Sequence, residues 1–128
     1  MEITGMPNTR YRSGVNLERE IRQILEERYN IPCLRTAGSK SDFDLVALGR
    51  RTILIQVKYT AKKNIEPPRE LIRKLSKYVS YERWVVIVVV QRQTRMTTLT
   101  WIDDVCFTGG ITDKFPEAMN KLNQLCDD

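Results

Sequence analysis

Histidine is absent from this 128-residue chain, and the three cysteines, Cys33, Cys106 and Cys126, lie far apart with no C-x-x-C pair among them. A closed zinc site therefore lacks its usual ligands, and the thiols read as buried apolar side chains in a reducing compartment. Long hydrophobic runs are missing too. The longest, Trp84 to Val90, is seven residues, far too short to cross a bilayer, and no apolar signal segment opens the chain. A soluble, cytoplasmic protein with no membrane partner is expected. No G-x-x-x-x-G-K-[ST] phosphate loop accompanies Gly109-Gly110, so that pair reads as a turn. Repeats and low-complexity tracts are absent as well.

What is present is an ordinary globular composition, 41% hydrophobic and 29% charged, on a chain whose length suits one domain with one core. The charge is uneven. Residues 1–63 carry 12 Lys/Arg against 7 Asp/Glu, residues 64–100 carry 7 against 3, and residues 101–128 carry 2 against 6. A basic front and middle joined to an acidic end suit a polyanionic partner such as nucleic acid, although a solvated surface gives the same count.

Periodicity divides the chain as follows. Residues 1–14, with Gly5, Pro7, Ser13 and Gly14, read as a flexible arm bearing Arg10 and Arg12. Leu17, Ile21, Ile24 and Leu25 recur at helical spacing after Asn16, a candidate N-cap, and Asn30 and Pro32 stop that helix. Ile31 to Arg35 suits a short strand. Pro67-Pro68 precede a helix over about 69–81, apolar along Leu71, Ile72, Leu75, Tyr78 and Val79 and basic along Arg69, Arg73, Lys74 and Lys77. That basic face is either solvated or in contact with phosphate. Val85 to Val90 do not alternate and are β-branched, the pattern of a strand buried on both faces. Met96 to Ile102 gives a further strand, and Pro116 opens a last helix with Met119, Leu122, Leu125 and Cys126 on its packing stripe. The economical solution is an α/β fold: a mixed five-stranded sheet with helices on both faces, in a single domain over 1–128.

Chemistry concentrates in the middle of the first half. Gly49-Arg50-Arg51 separates two apolar runs and predicts a hairpin, which brings Asp44 near Gln56-Val57-Lys58. Alternation puts Gln56 and Lys58 on one face and Ile55 and Val57 on the other. Glu18 sits on the border of the first helix's apolar stripe. Asp44 and Glu18 offer carboxylates, Gln56 an amide carbonyl and Val57 a main-chain carbonyl, all hard oxygens suited to Mg²⁺ or Mn²⁺. Phosphodiester hydrolysis uses such a cation to neutralise phosphate charge and activate water. Lys58 could then orient the water and stabilise the transition state, with a hydroxyl of Ser39 or Ser41 on the phosphate. The bland alternative has Asp44 capping a strand, Gln56 on a wet face and Lys58 balancing neighbouring acids.

Three segments, in order, carry a resemblance: Arg12-Ser13-Gly14-Val15-Asn16-Leu17-Glu18-Arg19-Glu20, then Arg35-Thr36-Ala37-Gly38-Ser39-Lys40-Ser41-Asp42-Phe43-Asp44-Leu45-Val46-Ala47, then Ile55-Gln56-Val57-Lys58. They are similar to the archaeal Holliday junction resolvases, within the PD-(D/E)XK restriction-endonuclease-like superfamily. The resemblance implies a restriction-endonuclease-like core and a homodimer that binds four-way DNA junctions and makes paired, metal-dependent cuts. It assigns Glu18 as the helix acid, Asp44 as the first strand acid, Gln56 as the second-acid position, Lys58 as the motif lysine and Ser39 as the loop serine. Arg10 and Arg12 match basic residues of a DNA-clamping arm, and Arg35, Ser39, Lys40, Lys62 and Lys63 complete the candidate DNA contacts. Two positions depart from the pattern. Gln56 replaces an acid, which weakens metal binding, and Phe43 precedes Asp44; Asp42 could compensate only if the strand already begins there. The alternatives are another nuclease of the superfamily acting on branched, nicked or single-stranded DNA, a non-catalytic junction-binding protein, or a structural protein.

Overall fold

The strand over Val85–Arg92 is the centre of the molecule: Val86 through Val90 are all buried, and their side chains alternate between two hydrophobic layers. The computed structural model describes residues 9–36, 42–59, 69–81, 85–93, 95–104 and 107–127. Its elements are α1 (Thr9–Gln23, continued by a π-helical turn over Ile24–Arg28), β1 (Cys33–Arg35), β2 (Leu45–Leu48), β3 (Thr52–Tyr59), α2 (Arg69–Tyr81), β4 (Val85–Arg92), β5 (Thr97–Asp104), β6 (Phe107–Asp113) and α3 (Phe115–Asp127). The strands form one sheet in the order β1-β2-β3-β4-β5-β6. Among the described strands, only β3 and β4 are parallel. A parallel pair needs a crossover, and α2 supplies it.

One layer is packed by α1 and α3. Leu17, Ile21 and Leu25 from α1, and Met119, Leu122 and Leu125 from α3, meet Ile53, Ile55, Val57, Val86, Val88 and Val90. The other layer lies under α2, where Leu75 and Val79 meet Phe43, Ile87, Val89 and Ile102. Helices thus cover both faces, as the apolar patterns require. Asn30, at φ 58°, takes the left-handed position that ends the first helix, a conformation asparagine tolerates better than most side chains.

Two expectations are corrected. The chain is already helical at Thr9, so Arg10 and Arg12 stand on a helix instead of on an irregular arm reaching to residue 14. A single glycine inside a helix costs only about 1 kcal/mol relative to alanine, and Gly14 does not break this one. The described residues form a sheet of six strands, not five, because Gly109-Gly110 lie inside β6. Gly109 faces Trp101 across the ladder, and a Cβ there would sit 2.5 Å from the indole ring. That glycine makes room for an aromatic ring and does not mark a turn.

Candidate active site

Asp44 immediately precedes β2, where the antiparallel register pairs Leu45 with Ile55. Its main-chain N–H donates to the Ile55 carbonyl at 2.8 Å, and its Oδ2 accepts the Val57 N–H, also at 2.8 Å. The strand acid is therefore held against the segment Gln56-Val57-Lys58. Alternation along β3 buries Ile53, Ile55 and Val57 toward α1, leaving Gln56 half-buried and Lys58 exposed on the opposite side. The N–H and C=O of a strand residue point the same way, so the Val57 carbonyl points to the side on which its N–H meets Asp44.

Glu18 reaches the same region from α1. Its neighbours Leu17 and Ile21 anchor the helix in the core, and Glu18 itself is 14% exposed, with Oε1 accepting from Arg35 Nε at 3.0 Å. Burial is the main cause that pushes its carboxyl above the ordinary glutamate range. The negative charge of Asp44 pushes the same way, while the Arg35 hydrogen bond pulls it down. Glu18 thus senses the charge of Asp44, an arrangement a cation relieves.

Asp42 is turned elsewhere. The Tyr78 hydroxyl donates to its Oδ2 at 2.6 Å, and Lys74 Nζ lies 3.3 Å from its Oδ1. These two partners hold it below the ordinary aspartate range. β2 begins only at Leu45, so the condition for Asp42 to replace the missing acid at Gln56 is not met. Among the described residues no group of three His, Cys, Asp or Glu side chains is placed to hold a metal. Glutamine at the third position explains this, since it leaves two acids and an amide. The donor types are still those a hard cation takes: all are oxygens, and two belong to carboxyl groups.

Ser39, Lys40, Lys62 and Lys63 lie outside the described residues. Arg35 stands at the end of β1, on the Glu18 side of the site.

A family model described as archaeal Holliday junction resolvase (hjc) matches residues 9–109. The chain belongs to that family. The matched span runs from the first residue of α1 into β6 and takes in Glu18, Asp44, Gln56 and Lys58. No curated protein sequence matches the chain significantly. Among solved structures, Hjc from Archaeoglobus fulgidus, described as a Holliday junction resolvase from an archaeal hyperthermophile, shares the fold at a TM-score of 0.54 and 16% identity. The match covers 84% of this chain and 96% of that one. A resolvase-family member with a mixed sheet and flanking helices is thus established on both sequence and fold. No helix among the described residues is long and apolar enough to cross a membrane.

Two connections had no signal in the sequence. Arg35 is Glu18's ion-pair partner 17 residues away, and Tyr78 is Asp42's partner 36 residues away. Tyr78 read as one more member of an apolar stripe, and Lys74 as one more cation on a basic face.

Proposed function

We propose that this chain is a metal-dependent, structure-selective endonuclease that resolves four-way DNA junctions by paired phosphodiester hydrolysis as a homodimer. The observation that carries the reading is Asp44: its carboxylate is fixed to Val57 of the strand bearing Gln56 and Lys58, and its charge is felt by Glu18. Membership in the resolvase family supports the substrate.

Glu18, Asp44, Gln56 and the Val57 carbonyl would hold Mg²⁺, with Mn²⁺ as an alternative. When bound, such an ion neutralises charge developing on the phosphate and lowers the pKa of an attacking water. Arg35 keeps Glu18 oriented toward the site. Lys58, exposed and on the same side of β3 as Gln56, presents its ammonium to a phosphate oxygen. Ser39 adds a hydroxyl to the same phosphate. Arg10, Arg12, Lys40, Lys62 and Lys63, with Arg35, would contact the DNA backbone, and the exposed cations of α2 offer a further basic face. Such contacts read backbone shape and not base sequence, as a junction enzyme requires.

One observation favours a second reading. Gln56 removes a negative charge from a site in which charge holds the metal, so the chain could bind junctions without cutting them. Incubation with a labelled four-way junction in Mg²⁺ and in Mn²⁺ separates the two: symmetric nicks support the enzyme, and tight binding with no cleavage in either metal supports the binding protein. A panel of nicked, flapped and single-stranded DNA tests the junction preference.

A further inference from the structure

Asp44 stands at the end of an irregular stretch, residues 42–44, that precedes β2. Its main chain is tied to β3 through Ile55, and Thr36 N–H donates to its carbonyl at 3.0 Å. The Thr36 hydroxyl donates to the carbonyl of Phe43. All of these hold backbone. The side chains before Asp44 are held from the opposite direction, by one face of α2. Tyr78 and Lys74, one helical turn apart, take the two carboxylate oxygens of Asp42 at 2.6 and 3.3 Å. Between them and the sheet, Phe43 is buried against Leu75 and Val79, and its ring meets that of Tyr78 edge-on at 5.0 Å between centroids. Lys77 lies over the Tyr78 ring at 5.3 Å. The segment leading into the strand acid is therefore clamped between β3 and α2.

We propose that Tyr78, with Lys74, is a positioning residue for the metal site, fixing Asp44 through Asp42 and Phe43. The inference rests on Asp44 being a metal-binding acid. Removing the tyrosine hydroxyl leaves Asp42 paired with Lys74 alone, on an exposed lysine, and the rest of the 42–44 stretch held through its main chain and the Phe43 ring. The Asp44 carboxylate then samples positions away from Val57. Groups hydrogen-bonded to a metal ligand typically matter about 10–100-fold in metal affinity, and Tyr78 acts one link further out, through Asp42, so its effect falls at the lower end of that range. The clamp also accounts for Phe43 at the position before the acid. An aromatic ring there is what Tyr78, Leu75 and Val79 pack against, so the segment has an apolar anchor as well as a polar one.

The test is Mn²⁺ binding to the intact protein, by calorimetry and by electron paramagnetic resonance, on the wild type and on Tyr78→Phe, Asp42→Asn, Tyr78→Phe with Asp42→Asn, and Asp44→Ala. Tyr78→Phe keeps the ring against Phe43, and thermal melting verifies that each variant is folded. The expected result is Mn²⁺ affinity about tenfold weaker in Tyr78→Phe, and a double variant weaker than either single one, since Tyr78→Phe removes the hydroxyl link to Asp42 and Asp42→Asn the charge that pairs with Lys74. Asp42→Asn retains an acceptor for the hydroxyl and is expected to lose less than Tyr78→Phe. Metal-free junction affinity is expected to stay unchanged in Tyr78→Phe. Loss of Mn²⁺ binding in Asp44→Ala with wild-type binding in Tyr78→Phe would overturn this proposal alone. Unchanged Mn²⁺ binding in Asp44→Ala would remove the site itself and the proposal with it.

Discussion

The Asp44 carboxylate and the Val57 main chain are joined by a 2.8 Å hydrogen bond that spans the end of the β2–β3 pairing. The acid is thereby fixed to the strand that carries Gln56, a neutral amide where the resemblance sets an acid. Gln56→Glu tests what that departure costs. If Gln56 is a ligand, a carboxylate in its place should tighten Mg²⁺ binding about tenfold, roughly 1.4 kcal/mol, and raise cleavage at low Mg²⁺. Calorimetric titration checks the affinity. Equal affinity in the two proteins would show that Gln56 lies outside the coordination sphere.

The exposed cations of α2 form a stripe: Arg69, Arg73, Lys74 and Lys77 all face solvent, with Glu70 the one acid of that helix. Neutralising Arg69 and Arg73 to Gln should lower junction affinity most at low salt. If each contacts a phosphate, the slope of log affinity against log salt falls by about 0.9 per residue. An unchanged slope would mean that this face is only solvated.

Burial pushes both described thiols up, Cys33 to about 11 and Cys126 to about 12, against 9.0 for a free thiol. Glu26 and Cys33 add to the respective shifts. Below pH 9 the folded and unfolded chains bind these protons equally. As the pH rises from about 9 toward 11–12, the unfolded chain ionises first, so stability falls, by up to about 1.4 kcal/mol per pH unit for each thiol. Denaturant unfolding between pH 8 and 11 checks this: Cys126→Ala is expected to be less stable at pH 8 but to show a shallower alkaline decline. Rapid alkylation of both thiols in the folded protein at pH 8 would contradict the burial.

Gly109→Ala puts a methyl group 2.5 Å from the Trp101 ring, which is 7% exposed and has the Lys121 ammonium 5.0 Å from its centroid. The ring has little room to move. Overpacking of this kind costs about 1–3 kcal/mol, read as a lower midpoint in chemical denaturation. An unchanged midpoint would show that the indole swings out of its place at no cost.

Much of this arrangement was legible because it rests on local periodicity. The Leu71, Leu75 and Val79 spacing after Pro67-Pro68 marks α2, and the unbroken β-branched run marks β4 as the doubly covered strand. Gln56 and Lys58 share a face because side chains on any strand alternate. What was not legible depends on residues distant in sequence. Gly109 reads as a turn until Trp101 is set opposite it, and nothing near Asp42 announces Tyr78. The first turns of α1 are hidden in the sequence for the opposite reason: Ser13 and Gly14 are local breaking signals that the longer helix absorbs.

Cleavage of a four-way junction in Mg²⁺ is the most direct test, with wild type, Lys58→Ala and a linear duplex of the same sequence run side by side. The account predicts paired symmetric nicks on the junction with wild type only, and junction binding that Lys58→Ala retains. Tight junction binding by the wild type with no cut in either Mg²⁺ or Mn²⁺ would contradict it, and Gln56 would then mark a site that keeps the DNA surface without the chemistry.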